Sequence, residues 1–123
     1  MTPQEIFQSL LVAGMRKDAD AQAALYAPDG VLEVPLVPIR FEGRDEIRAG
    51  LAAYHLRAVV DERKVDLTKT GFVLHTTTDP DAFIAEIDAT FEDGSAMSLV
   101  QIFRVRDGQI VLLRDYFHPA AWV

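Results

Sequence analysis

A chain of 123 residues, half of them hydrophobic, holds enough apolar material for one core and too little for two. Its net charge of −7, with no block of Lys and Arg, excludes tight binding to a phosphate backbone, so nucleic acid is not an expected partner. The absence of cysteine excludes disulfide scaffolds, thiol nucleophiles and thiolate metal sites together.

No run reaches the roughly 20 apolar residues of a membrane helix, and MTPQEIF lacks the basic start and apolar stretch of a secretory signal. No membrane partner and a cytoplasmic location follow as expectations. Gly and Pro are scattered as single turn markers, without a linker or an internal repeat, so one domain spans 1–123.

In chain order, Thr2-Pro3-Gln4-Glu5 predicts a helix start, with Thr2 as cap, Pro3 in the first turn and Glu5 placed to complete a capping box. Ile6, Phe7, Leu10 and Leu11 give that helix one apolar stripe, ending near Arg16. A second helix is predicted from Asp18 through the alanine-rich DADAQAALYA, stopped by a turn at Pro28-Asp29-Gly30. Val31 to Val34 is a short strand, and Pro35 and Pro38 demote PLVP to loop or edge. Gly43-Arg44-Asp45-Glu46 opens a third helix, whose Ile47, Leu51, Tyr54 and Ala58 recur at helical spacing until the charged DERK at 61–64.

The pattern then turns to β. VDLTKTGFVLHTTT, AFIAEIDATFE, SAMSLVQIFRVR and QIVLLRDYF read as about four antiparallel strands, with turns at Asp79-Pro80-Asp81, Glu92-Asp93-Gly94 and Asp107-Gly108. Helices followed by a meander predict an α+β fold, helices packed on one face of a curved sheet.

Asp115 is the residue that stands out. Val111, Leu113, Asp115 and Phe117 share a face by alternation, and Asp115 is its only charge; burying an ionised acid is costly unless it is paired or shifts its pKa. In the preceding hairpin, alternation puts Ile84, Glu86, Asp88 and Thr90 on one face and Phe83, Ala85, Ile87, Ala89 and Phe91 on the other. Which of those faces meets water stays open at this level. Were Glu86, Asp88 and Asp115 to converge in a dry pocket, at least one would hold a proton, an arrangement suited to general acid/base work. Arg40 or Arg57 is the alternative neutraliser of such a cluster.

An imidazole titrates near neutrality, which makes His118 a candidate proton carrier, although its place beside Pro119 near the chain end suits an exposed, idle side chain as well. His55 and His75 read as packing or surface residues. No two histidines have metal-ligand spacing, and no metal site is expected. Tyr26, Phe41, Tyr54, Phe72, Met97, Leu99, Phe103 and Trp122 supply core or interface, with enough left to line an apolar cavity for a polycyclic, terpenoid or aromatic molecule. Gln101 would be a neutral hydrogen-bonding group there.

ALYAPDGVLEVP, FEGRDEIRAGL, VLHTTTDPDAFIAEID and FRVRDGQIVLLRDYFHP, in this order, resemble the nuclear transport factor 2-like superfamily and, within it, the SnoaL-like group. The resemblance implies a cone of helices on a bent sheet with a pocket inside, and dimers that pack through the sheet. It also offers a geometry in which the hairpin acids line the pocket while Phe83, Ile87 and Phe91 meet a second subunit. Arg114-Asp115-Tyr116-Phe117 is similar to the closing strand of limonene-epoxide hydrolases, which implies a water-activating role for Asp115 and a partner role for Asp88. At the supporting positions of those enzymes this chain has Glu86, Leu32 and Val34 instead. The ketosteroid isomerase pattern is broken, with Val34 in the place of the general base and Leu10 and Gln101 in the place of the oxyanion hole. SnoaL-type cyclases carry an acid/base aspartate where His118 stands.

Together these readings imply an enzyme without cofactor, acting on a small apolar molecule by carboxylate proton transfer of isomerase, cyclase, dehydratase or hydrolase type. Asp115, Asp88 and His118 are its catalytic candidates. Glu86, Gln101, Leu32, Val34, Tyr54, Phe103 and Leu113 are its candidate substrate contacts. The rival reading is a ligand-binding or assembly module of the same fold without turnover.

Overall fold

Helix α1 (Pro3–Met15) begins where its capping residues stand: Thr2 Oγ1 accepts the Glu5 backbone N–H at 3.2 Å, and Pro3 occupies the first turn. The box closes through side chains, the Thr2 hydroxyl donating to Glu5 Oε1 at 3.0 Å. In the computed structural model, which describes residues 1–58 and 63–122, Ile6, Phe7 and Leu10 are buried and Leu11 is half-buried.

Helix α2 (Ala19–Ala23) is shorter than predicted. Asp18 caps it by accepting the Ala21 N–H at 3.0 Å, but strand β1 (Tyr26–Val34) already starts at Tyr26 and carries Pro28-Asp29-Gly30 within it rather than as a turn. Proline is tolerated there because the pairing of β1 with the last strand breaks register between Tyr26 and Val31, where no ladder donor is required. Gly30 lets the backbones close in: a Cβ on it would lie 2.8 Å from the Ile110 carbonyl oxygen.

Strand β2 (Ile39–Glu42) pairs back on β1, and α3 (Arg44–Ala58) follows. Ile47 and Leu51 of the predicted stripe are buried, and the Arg44 guanidinium fixes the start of α3 by donating to the Tyr26 carbonyl from Nε at 3.1 Å and Nη2 at 2.6 Å. The helix end expected at 61–64 falls partly on residues 59–62, outside the described residues. Two elements lock α3 to α2: Gln22, a buried polar side chain, and His55, whose Nε2 lies 2.6 Å from Gln22 Oε1. Burial, and after it the charge of Lys17, pulls the His55 pKa below the ordinary value, which favours the neutral ring with Nε2–H donating.

Strand β3 (Gly71–Thr76) starts later than the β pattern from Val65 predicts. Asp66 Oδ1 accepts the Thr68 amide at 2.9 Å and its hydroxyl at 2.6 Å, and this side-chain turn leaves Val65 in a single bridge to Phe91. Strands β4 (Ala82–Thr90), β5 (Ala96–Arg106) and β6 (Gln109–Tyr116) complete the sheet, and a 3-10 turn (Pro119–Trp122) closes the described chain. At the β5–β6 hairpin Asp107 and Gly108 have φ of 52° and 75°, the two positive values that a two-residue turn matched to strand twist requires.

The strand order is β2-β1-β6-β5-β4-β3, antiparallel except for the parallel pair β1–β6. The fold is the α+β cone expected, three helices on a six-stranded, mainly antiparallel sheet. Its core centres on an aromatic set: Phe83 and Phe103 stack at 4.5 Å with planes 6° apart, and Phe7 from α1 meets Phe103 edge-on at 6.3 Å. No helix among the described residues is long and apolar enough to cross a membrane.

Candidate functional site

Register decides which side chains face the helices. On β4, Phe83, Ala85, Ile87 and Ala89 are buried, and their partners across β5 are Phe103, Gln101, Leu99 and Met97. On β6, Leu113 lies opposite Phe103 and Asp115 opposite Gln101, and β1 places Leu32 opposite Leu113. The pairing of β5 with β6 skips Val111, so Ile110 rather than Val111 joins Leu113 and Asp115 on this inner face.

Burial along that face is graded. Leu32, Val34, Phe83, Phe103 and Leu113 are sealed, whereas Leu74, Leu99, Gln101 and Asp115 are half-buried. The inner face is therefore less tightly covered around Asp115; on α3, Tyr54 is half-buried, its hydroxyl 3.5 Å from the Ala121 carbonyl oxygen in the closing turn.

Gln101 Nε2 donates to Asp115 Oδ2 at 3.4 Å, a long hydrogen bond. Asp115 Oδ1 is cut off from solvent and has no hydrogen-bond partner. Among the described residues no Lys, Arg or His forms an ion pair with this carboxyl. Burial pushes its pKa up to about 7, against a smaller lowering by the Gln101 hydrogen bond. An acid so placed holds a proton in about half of the molecules at neutral pH, which lets it either accept or donate one. Such an orphaned buried oxygen calls for a water, a ligand or a reacting group.

Tyr26 belongs with this site as well. It is fully enclosed, and its phenol is raised far above the ordinary value, first by burial and then by the negative charge of Asp115. In the sequence Tyr26 reads as core alone, and nothing in ALYAPDG marks its electrical coupling to a residue in the last strand.

The hairpin acids do not join Asp115. Glu86 and Asp88 are exposed on the outer face of β4, the side away from the helices, so the expected convergence of three carboxyls does not occur. Ser98 Oγ donates to Asp88 Oδ1 at 2.6 Å, and Glu86 Oε2 lies 3.1 Å from His75 Nε2. The inverse geometry, with Phe83, Ile87 and Phe91 at a subunit contact, is overturned too. Phe83 and Ile87 are buried in the helix-covered core, and the Arg63 guanidinium lies 4.3 Å over the Phe91 ring.

His118 is exposed, and its Nδ1 accepts the Ala120 N–H at 3.1 Å, capping the closing turn instead of reaching Asp115. Arg40, one of the two candidate neutralisers, pairs with Glu33 and Glu42, and Glu33 also accepts Arg114 Nε at 2.9 Å. Of the candidate substrate contacts, Gln101 touches the acid, Tyr54 packs beside His55 on α3 with its hydroxyl toward Ala121, and Leu32, Val34, Phe103 and Leu113 are sealed in the core.

Residues 8–113 match the family described as SnoaL-like domain. A curated relative, an uncharacterized PhzA/B-like protein of Pseudomonas aeruginosa, is 36% identical over 128 residues, covering 97% of this chain and 86% of the relative. Among solved structures, a candidate isomerase from Bacillus subtilis superposes with a TM-score of 0.71 at 22% identity, over 95% of this chain and 86% of that one. A Catenulispora acidiphila protein with a ketosteroid isomerase-like fold, crystallised with trimethylamine, gives a TM-score of 0.68 at 18% identity, over 99% and 91% of the two chains. At those identities the two structures establish the fold. With the family match over most of its length and the Pseudomonas relative beside it, the chain belongs to the SnoaL-like group of the nuclear transport factor 2-like superfamily.

Proposed function

We propose that the protein is an acid/base enzyme for a small, largely apolar molecule, with Asp115 as its proton carrier. The observation that carries this reading is the buried, unpaired Asp115 carboxyl, whose pKa of about 7 leaves it able to work in both directions at neutral pH. Gln101 holds Oδ2, which leaves Oδ1 as the carboxyl oxygen with no donor of the chain against it. Leu32, Phe103 and Leu113 are sealed on the same face, and their low polarity keeps the carboxyl destabilised as an anion.

A single carboxyl narrows the reaction. One acid can take a proton from a carbon beside a carbonyl and return it to another carbon, which is isomerase chemistry and needs no cofactor. Two-acid schemes of cyclase or hydrolase type lose their support, because Asp88 lies on the other face of the sheet. That same placement favours a second reading, a ligand-binding module without turnover.

Deuterium exchange at the α-carbon separates the two. In D2O at pH 7.5, wild-type protein with a panel of cyclic ketones and enones should wash deuterium into at least one of them. Asp115→Asn should slow that exchange by about 10²- to 10⁴-fold, the usual worth of a positioned general base. Exchange no faster than buffer alone across ketones that demonstrably bind would favour the binding module.

A further inference from the structure

We propose that the Asp115 site accepts a protonated amine carried on an apolar body, with the ammonium group donating to Asp115 Oδ1. The inference rests on Asp115 as the ligand-facing group of the site and goes on to name the chemistry of what it faces.

The donors and acceptors around Asp115 are unbalanced. Oδ1 is a buried acceptor with nothing to accept from. Gln101 has spent one N–H on Oδ2, and among the described residues its own carbonyl oxygen makes no hydrogen bond, which leaves a second acceptor beside the first. The missing partner is therefore a donor, and preferably one with several N–H groups. Charge points the same way. Asp115 has no cation beside it, and a carboxylate taken out of water without a counter-ion is destabilised by several kcal/mol. An ammonium supplies three donors and the positive charge together; an alcohol supplies one donor and no charge, and a carboxylate ligand adds repulsion.

The surroundings leave Asp115 as the group that responds. From β1, Tyr26 faces it and stays neutral through the physiological range. From α3, His55 is turned to Gln22. From β6 itself, Arg114 points to the other side of the sheet, where it pairs with Glu33. From β5, Gln101 carries no charge. Leu74 and Leu99, half-buried on the same inner face, are the apolar surface that the body of the ligand would meet.

A cation that selects the ionised carboxyl must displace the proton that the empty site holds. Binding is thus tied to proton release, and its apparent affinity falls about tenfold for each pH unit below the point where the free acid titrates.

The test is calorimetric titration with benzylammonium, which stays protonated from pH 5.5 to 8, against benzyl alcohol and benzoate as shape-matched controls. Wild-type protein should bind benzylammonium at least about tenfold more tightly than the alcohol, with affinity that drops between pH 7.5 and pH 5.5 and with proton release visible as a buffer-dependent heat. Asp115→Asn, checked for native circular dichroism, should lose at least about tenfold in affinity and all of the pH dependence. Equal affinity for amine and alcohol, an amine affinity unchanged in Asp115→Asn, or no binding of benzylammonium would overturn the inference. Ketone α-proton exchange that depends on Asp115, with no benzylammonium binding, would sink the amine and leave the acid/base reading standing. Amine binding that depends on Asp115, without exchange of any ketone, would do the reverse.

Discussion

Between pH 4 and pH 8 the stability of Asp115→Asn should gain about 4 kcal/mol on that of the wild-type protein, and above pH 8 the gap should stay level. The folded carboxyl titrates at about 7 and the ordinary one at 3.8. In the window between those values the folded chain keeps a proton that the unfolded chain has released. Wild-type stability therefore falls as pH rises through the window, by about 1.4 kcal/mol for each pH unit, and the loss is complete once the folded acid has ionised. Asparagine has the shape of aspartate and nothing to ionise, so its stability lacks this slope. Urea unfolding of both proteins at several pH values reads the difference. A gap that does not change with pH would mean that the carboxyl is hydrated in the folded state. The size of the effect matters for function, since against a total of about 5–15 kcal/mol it is a large standing cost that a purely structural residue would not retain.

Phe103→Ala should cost about 3–5 kcal/mol of unfolding free energy. Phe103 is 0% exposed, stacks on Phe83, takes the edge of Phe7 and faces Leu113 across the strands. It therefore joins α1 to β4 and β6, and rigid strands cannot collapse into the space its ring would leave. The same substitution should act on the site. Phe103 is two positions from Gln101 on the same face of β5, and water admitted into the space left by its ring would hydrate the Asp115 carboxyl and lower its pKa toward the ordinary value. Urea unfolding gives the first effect, and the carboxyl titration of the variant gives the second. A loss under about 1 kcal/mol would show that the aromatic set does not hold the cone together.

Local signals carried much of the fold. Thr2-Pro3 and Gly43-Arg44 mark helix starts, and Asp107-Gly108 marks a hairpin, because capping and positive φ are satisfied within a few residues. Pro28-Asp29-Gly30 misled for the opposite reason. Its turn-like residues sit at a register break that exists only because β6, from the far end of the chain, lies against β1.

The candidate site divides in the same way. That Asp115 shares a face with Leu113 was legible from strand alternation alone. The side taken by Glu86 and Asp88 was not, because β4 alternates on both faces and only the docking of Phe7 against Phe103, which stacks on Phe83, shows which face the helices cover. Neither the skipped Val111 nor the reach of Asp115 to Tyr26 leaves a mark in the residues themselves.

The central claim is that one buried carboxyl changes charge near neutrality. Carbon-13 NMR of the protein labelled at the aspartate carboxyl, with the Asp115 signal identified by its absence from Asp115→Asn, follows that charge directly. The account predicts a midpoint of about 7 for Asp115. A midpoint near 4, the ordinary carboxylate range, would contradict it.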